Sequence, residues 1–372
     1  MGSGESKQQH HHHQRASGTS SSSSSSSNGS SSSSSSQSIS QRDRAKAAII
    51  GAFVADSASM GLHLIYDQAA IEKLIKDRAA IDATGGGPEF FDPPESAFYD
   101  YHSGRQSPYG DEMMVLLRSI SSKGYFDPSD AIEEWSSFYQ AYDGRLNRVS
   151  QRFIELKSRG ISIDQCAQTD DTSFESAAKI PIIVARYAGS PMMLEKLDDA
   201  VKVHQTNEKV LHATRLAAKL LEKVILGSSI PDALLWASTS NQTSPEEKEL
   251  LQCIDDKGLN ENLPFSIAAE TFGLSGQLPG CLRSSIYALK CFRGYEVAIR
   301  ANIVAGGDNA CRGWILGSML AAECGDKCIP EQWKSKTLLY AQIVTFANRI
   351  AGSNPCFENH KERSCWVGRP SS

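Results

Sequence analysis

No basic block stands out in this chain of 372 residues, where 38 Lys and Arg face 43 Asp and Glu for a net charge of −5. Without a cationic stripe it has no electrostatic footprint for nucleic acid, so no nucleic-acid partner is expected. No apolar run reaches the ~18 residues that a bilayer-spanning helix needs. The longest stretch, Ala47 to Ala55, stops at Asp56. No apolar signal-peptide core follows Met1. Alternating, strand-like patterns are few. The nine cysteines are an odd number scattered through apolar segments, and Cys324 and Cys328 do not make a C-x-x-C. Reduced thiols and a cytoplasmic location are the expectation.

What is present begins with serine. Residues 16 to 41 are mostly Ser, with Asn28, Gly29 and Gln37 among them. Such a segment has almost no apolar surface to offset the entropy of ordering, so residues 1–41 are expected to form a disordered tail. Gly2 and Ser6 fit the N-myristoylation pattern, against two plain alternatives: chance, or a cloning remnant, since His10 to His13 follow. One acyl chain gives marginal membrane binding. Lys7 and Arg15 are the tail's basic residues, so weak, reversible association is the most the motif implies. From Arg42 the composition turns globular, and one domain over residues 42–352 followed by a tail over 353–372 is expected.

Helical periodicity dominates that domain. Lys209 to Ile225 places Val210, Ala213, Ala217, Leu220, Leu221 and Val224 on one face, the pattern of an amphipathic helix. Ala45 to Ala58 and Trp314 to Ala322 are small or apolar throughout and predict helices buried on all sides. Pro128, Pro231 and Pro330 each fall one or two residues into an expected helix start, a position that tolerates a missing N–H. Two segments, Thr84 to Pro108 and Asn241 to Pro264, lack the period and read as long loops, which in compact domains are often functional.

Four polar clusters interrupt the apolar helices: Asp56-Ser57, Ser107 to Glu112, Thr169 to Thr172, and Gly306 to Asn309. Hard cations need several carboxylate and hydroxyl oxygens converging on one point, and helix N-termini also bind anions. The plain alternative for Asp111, Asp170 and Asp171 is helix capping, worth ~1 kcal/mol. Asp56 sits inside a helix, where capping is not available and a lone buried acid is costly. Asp308 follows two glycines that permit close backbone approach to a ligand. Asp56 and Asp308 are therefore the favoured site residues.

These segments resemble the ADP-ribosylglycohydrolase family. Arg44 to Leu64, centred on Ala55-Asp56, is similar to its opening helix, patterned G-D-A-L-G. Val203-His204 is similar to its T-H segment. Tyr295 to Ala322 is similar to its last signature, G-G-D-T-D-T before a small-residue helix, and Ile329-Pro330 with Trp333 to its I-P-x-x-W tail. The order and spacing agree over about residues 42 to 350. Within the family, His63 to Asp67, Phe98 to Tyr101, Ser107 to Gly110 and Gly306 to Asn309 resemble the J-type crystallin branch and its selenoprotein relatives.

The resemblance implies an all-α, mostly orthogonal multi-helix fold with one central cleft. It implies cleavage of the bond joining ADP-ribose to an acceptor, with magnesium orienting the ribose and activating water and a carboxylate as general base. The departures are specific. Ser107-Pro108-Tyr109-Gly110 stands where hydrolases of the family carry T-D-D-T. Thr169 to Thr172 occupies the ligand-loop position instead. Ala310 and Cys311 replace an acid and a threonine of the last signature, and His63 stands where many members have glutamate.

Asp56 and Asp308 remain as candidate metal ligands, for one Mg2+ ion or none. Asp56, Asp111, Glu112 and His63 are the candidate catalytic groups. Ser107, Tyr109, Gly110, Asp170, Asp171, His204, Gly306, Gly307, Asn309 and Arg312 are candidates for ligand binding. Two functions follow: magnesium-assisted hydrolysis of an ADP-ribosylated substrate, weakened or altered; or a non-catalytic, crystallin-like structural or ligand-binding protein. The composition of the tail generates one prediction. A chain starting at Gln41 should melt cooperatively at the full-length temperature, and a drop of many degrees would contradict the reading of residues 1–41.

Overall fold

Ser40 opens the first helix of the domain in the computed structural model by accepting from the Asp43 N–H at 3.1 Å, as an N-cap residue does. The structure describes residues 38–81, 86–98, 100–161, 167, 170–256 and 263–357. Gly2, Ser6, the serine-rich stretch up to Gln37, Thr169 and everything after Phe357 lie outside the described residues. The chain divides into units Met1–Ser38 and Ile39–Ser372, and of the first only Ser38 is described.

Along the second unit run α1 Gln41–Ser59, α2 Gln68–Ile81, α3 Pro108–Lys123, α4 Pro128–Ala141, α5 Arg148–Ser158 and α6 Ile180–Tyr187. Then come α7 Met193–Lys202, α8 Glu208–Ile225, α9 Ile230–Thr239, α10 Pro245–Asp256 and α11 Phe265–Phe272. Last are α12 Gly280–Cys291, α13 Tyr295–Ala305, α14 Asn309–Cys324, α15 Glu331–Lys336 and α16 Tyr340–Gly352. Among the described residues there is no strand, only an isolated bridge between Ser173 and Gln277. The fold is all-α, as the sequence implies.

Local chemistry sets the helix ends. Ser107 and Asp127 cap α3 and α4, each with a proline at the first helical residue. Pro231 is the second residue of α9 behind Ser229. Pro330 differs from expectation: it sits just before α15 as its N-cap residue, because its ψ of 135° is extended and not helical. Gly124 closes α3 with φ of 81°, a conformation that costs glycine least.

The core is built around α1 and α14. Ala45 and every residue from Ala47 to Ser59 are buried, as are Asn309 to Ala322. The segment Gln41–Leu62 is long and apolar enough to cross a membrane by length and composition, yet 94% of its most apolar window is buried inside the protein. Its apolarity is that of a central core helix. The amphipathic α8 turns Val210, Ala213, Ala217, Leu220, Leu221 and Val224 inward, as its period predicts.

One sulfur expectation fails. Cys324 and Cys328 form a disulfide, where the sequence suggested reduced thiols. Gly325 ends α14 between them and folds the chain back, leaving their Cα atoms 6.0 Å apart, inside the span a bridge can close. Among the described residues, Cys281, Cys311 and Cys356 carry free thiols.

The α1–α14 crossing depends on two glycines. A Cβ on Gly51 would come within 2.3 Å of the Gly317 carbonyl, and one on Gly317 within 2.4 Å of the Gly51 carbonyl. Backbone faces backbone, so no flexible side chain can yield. Gly317→Ala gains ~1 kcal/mol of helix propensity but forces the central pair of helices apart, and overpacking of this kind costs ~1–3 kcal/mol. The expected net result is a loss of stability in urea denaturation, larger still for Gly317→Val. Unchanged midpoints for both would contradict the close approach.

Candidate functional site

Asp56 lies in the middle of α1 with no solvent on any side. Its charge is answered by the loop leading into α3. Ser107 donates its backbone N–H to Oδ2 at 2.7 Å and its hydroxyl to Oδ1 at 2.6 Å. From α14, the Trp314 indole N–H donates to Oδ1 at 3.1 Å. The Gln106 amide, oriented to donate, reaches Oδ2 at 3.0 Å. Gly110 is a packing requirement here, since a Cβ would come within 2.5 Å of Asp56 Oδ2. Burial pushes the Asp56 carboxyl up to about 7, helped by the nearby Asp111 charge and opposed by the Ser107 and Trp314 donors.

Asp308 caps α14. Its Oδ1 accepts from the Cys311 N–H at 3.1 Å, and its Oδ2 accepts from the Tyr109 hydroxyl at 2.9 Å. The glycines before it have φ of 76° and 64°. They let the chain pass so close to Leu274 and Ile65 that a Cβ on either would meet a carbonyl oxygen. Beside Asp308, His63 Nδ1 lies 2.9 Å from Asn309 Oδ1. Burial lowers the imidazole pKa, so the ring is neutral at neutral pH. The Asn309 amide N–H donates to the Leu62 carbonyl at 3.2 Å, which leaves its oxygen to accept and puts the proton on His63 Nδ1. Arg312, fully buried, donates to the Asn302 side chain and to the carbonyls of Leu274 and Gly306. It braces the glycine turn from inside.

Asp111 and Glu112 diverge, as neighbours on a helix about 100° apart must. Asp111 Oδ2 meets Arg105 at 3.3 Å and the Tyr142 hydroxyl at 2.9 Å, and burial raises its pKa. Glu112 Oε2 instead accepts from the Ser150 hydroxyl at 2.9 Å and from Asn147 at 3.4 Å. Its Oε1 lies 4.0 Å from both Lys179 Nζ and His204 Nε2. His204 joins this second cluster, with Lys179 Nζ 2.8 Å from its Nδ1 and the Tyr139 hydroxyl 3.1 Å from its Nε2. Burial lowers Lys179 to about 8 and His204 well below its usual value. The neutral ring therefore accepts from the Lys179 ammonium at Nδ1 and donates from Nε2 to Tyr139. Glu175 Oε2 is buried with no hydrogen-bond partner, and burial together with Glu112, Asp171 and Asp308 holds its pKa well up.

Asp170 is exposed. Asp171 is buried and accepts from the Ser173 N–H at 2.8 Å and from Gln205 at 3.1 Å, stiffening its own loop. The structure thus joins Asp56 to Ser107, and Asp308 to Tyr109, His63 and Asn309. It places Glu112 and His204 in a separate group and Asp170 in neither. Lys179, Tyr139, Glu175 and Trp314 were missed. Lys179 did carry a signal, a lone charge inside the apolar run Ala177 to Val184. Surface hollows lined by Leu74, Arg78 and Phe91, and by Leu234, Leu235 and Arg293, involve none of these groups.

The ADP-ribosylglycohydrolase family model matches residues 37–356. The chain belongs to the ADP-ribosylglycohydrolase family. Crystallin J1A of Tripedalia cystophora is 28% identical over 327 residues, covering 83% of this chain and 97% of that one. Crystallin J1B of the same animal is 26% identical over 326 residues, with 83% and 96% covered. Among solved structures, an ADP-ribosylglycohydrolase-related protein complex shares the fold with a TM-score of 0.59 at 17% identity, covering 84% of this chain and 99% of that one.

Members of this family are typically metal-dependent, and the residues here do not fit a magnesium cage. Both oxygens of Asp56 and both of Asp308 already accept from protein donors. Ala310, buried, offers no oxygen where the signature has its second acid. Among the described residues no group of three His, Cys, Asp or Glu could hold a metal ion.

The raised Asp56 pKa generates a prediction. Between the ordinary carboxyl value of 3.8 and about 7, the folded chain keeps a proton that the unfolded chain has lost. Its contribution to stability therefore falls as pH rises through that window. Asp56→Asn should flatten this slope relative to the wild type in urea titrations at several pH values. It should also cost ~1–3 kcal/mol at the acid end, because its NH2 would face the Ser107 N–H. Parallel slopes for the two proteins would refute the assignment.

Proposed function

We propose that this family member holds an ADP-ribose-like ligand beside Tyr109, His63 and Asp308, and that magnesium-assisted hydrolysis is weak or lost. One observation carries the reading: both oxygens of each carboxylate that would ligate magnesium already accept from donors of the chain itself. The Tyr109 hydroxyl on Asp308 stands where a hydrolase of the family would offer an acid. The kind of ligand is supported by the family, whose members act on ADP-ribosylated substrates. The backbone turn at Gly306-Gly307, braced by Arg312, supports a preserved ligand wall. No water-activating step is assigned to any residue.

A second reading, a structural role without a small ligand, is favoured by the two crystallins, which align over 97% and 96% of their lengths. Calorimetry with ADP-ribose separates the two. The proposed function predicts binding of similar affinity in magnesium and in EDTA, with little release of ADP-ribose from arginine-, serine- or acyl-linked substrates. Absence of binding under both conditions supports the structural role. Magnesium-dependent turnover that Asp56→Ala abolishes would overturn both.

A further inference from the structure

Two buried thiols from different helices meet directly behind Asp308. Cys281 is in the first turn of α12 and Cys311 in the first turn of α14, and neither side chain is more than 2% exposed. Their sulfurs are 3.3 Å apart. Cys281 donates to Cys311 Sγ, and Cys311 Sγ in turn lies 3.3 Å from the Phe174 carbonyl as a donor. A disulfide is ~2.05 Å long, so the sulfurs have only roughly 1.3 Å to close. We propose that Cys281 and Cys311 are an oxidative modification site, forming a reversible disulfide when the protein meets a hydroperoxide.

The chemistry balances with hydrogen peroxide. One cysteine loses its proton and, as thiolate, attacks a peroxide oxygen; the O–O bond breaks, and the departing hydroxide takes up that proton, giving a sulfenic acid and one water. The other sulfur then attacks the sulfenic sulfur. The S–S bond forms, the S–O bond breaks, and the second water leaves with the remaining thiol proton.

The geometry couples this pair to the candidate site. The Cys311 N–H is the donor that Asp308 caps. Disulfide formation removes the S–H that the Phe174 carbonyl accepts, and Phe174 N–H donates to the Gly276 carbonyl. Gly276 in turn packs so close to Asp308 that a Cβ there would meet Oδ2 at 2.2 Å. Drawing Cys311 toward α12 therefore disturbs the cap, the Phe174–Gly276 contact and the Asp308 carboxylate together. No nucleotide is needed for this modification, so it stands or falls apart from the proposed function.

The test uses the full chain, exposed to hydrogen peroxide, alkylated, and digested without reduction for mass spectrometry. The expected product is a linked peptide pair joining Cys281 and Cys311, lost on dithiothreitol treatment, absent in Cys281→Ser and in Cys311→Ser, and retained in Cys291→Ser with Cys356→Ser. Amide exchange over residues 308–314 should quicken about fivefold in the oxidised protein, as loss of a helix cap implies, and return on reduction. Oxidation of the two cysteines to separate sulfinic acids, or a link that forms only after the protein is denatured, would overturn the proposal. Should a serine variant misfold, the peptide map of the wild type still decides it.

Discussion

A carboxylate in a helix with no solvent-facing side has to find its donors inside the protein, and the arrangement around Asp56 follows from that demand. Ser107 meets it with two groups at once while its hydroxyl also accepts from Gly110 N–H at 3.4 Å. One serine thereby fixes the acid of α1 and the start of α3. Trp314 meets it from α14 and packs edge-on against Phe53, with ring centroids 5.1 Å apart. The helices that contribute donors are the ones whose glycines let them approach, so the polar and the steric requirements select the same packing.

The second polar group obeys another logic. Lys179 is buried against the Trp135 ring, 4.9 Å from its centroid, and shares His204 with Tyr139. Its positive charge lies 4.0 Å from Glu112 Oε1. Burial lowers the proton affinity of this ammonium, while Glu112 and Glu175 raise it in part. The domain therefore holds an internal cation beside its acids, supplied by the chain on the lead-in to α6.

Much of the fold was legible because it depends on local pattern. The apolar continuity of α1 and α14, the period of α8 and the Ser and Asp caps are all written within a dozen residues. That Asp56 must be satisfied was also legible, since a mid-helix acid has no cap to make. Its donors were not, because Trp314 is 258 residues away in sequence. Tyr109 on Asp308 spans 199 residues and needs the α3 and α14 starts to face each other. Adjacent Asp111 and Glu112 read as one acidic pair in the sequence, but helical rotation sends them to different partners. The Cys324–Cys328 bond escaped because spacing alone does not show that the helix ends between them.

Ser107, Trp314 and Tyr109 also bear on how such a site can change over time. Each gives a donor to a buried acid, so each is tied to the packing of the domain. A substitution that placed a carboxylate beside Asp308 would first meet an acid already capping α14. Reversal would have to pass through intermediates that are less stable than either end point, since contacting residues do not contribute additively. The hydrogen bonds around these two acids thus act as a ratchet: once formed, they are easier to keep than to undo.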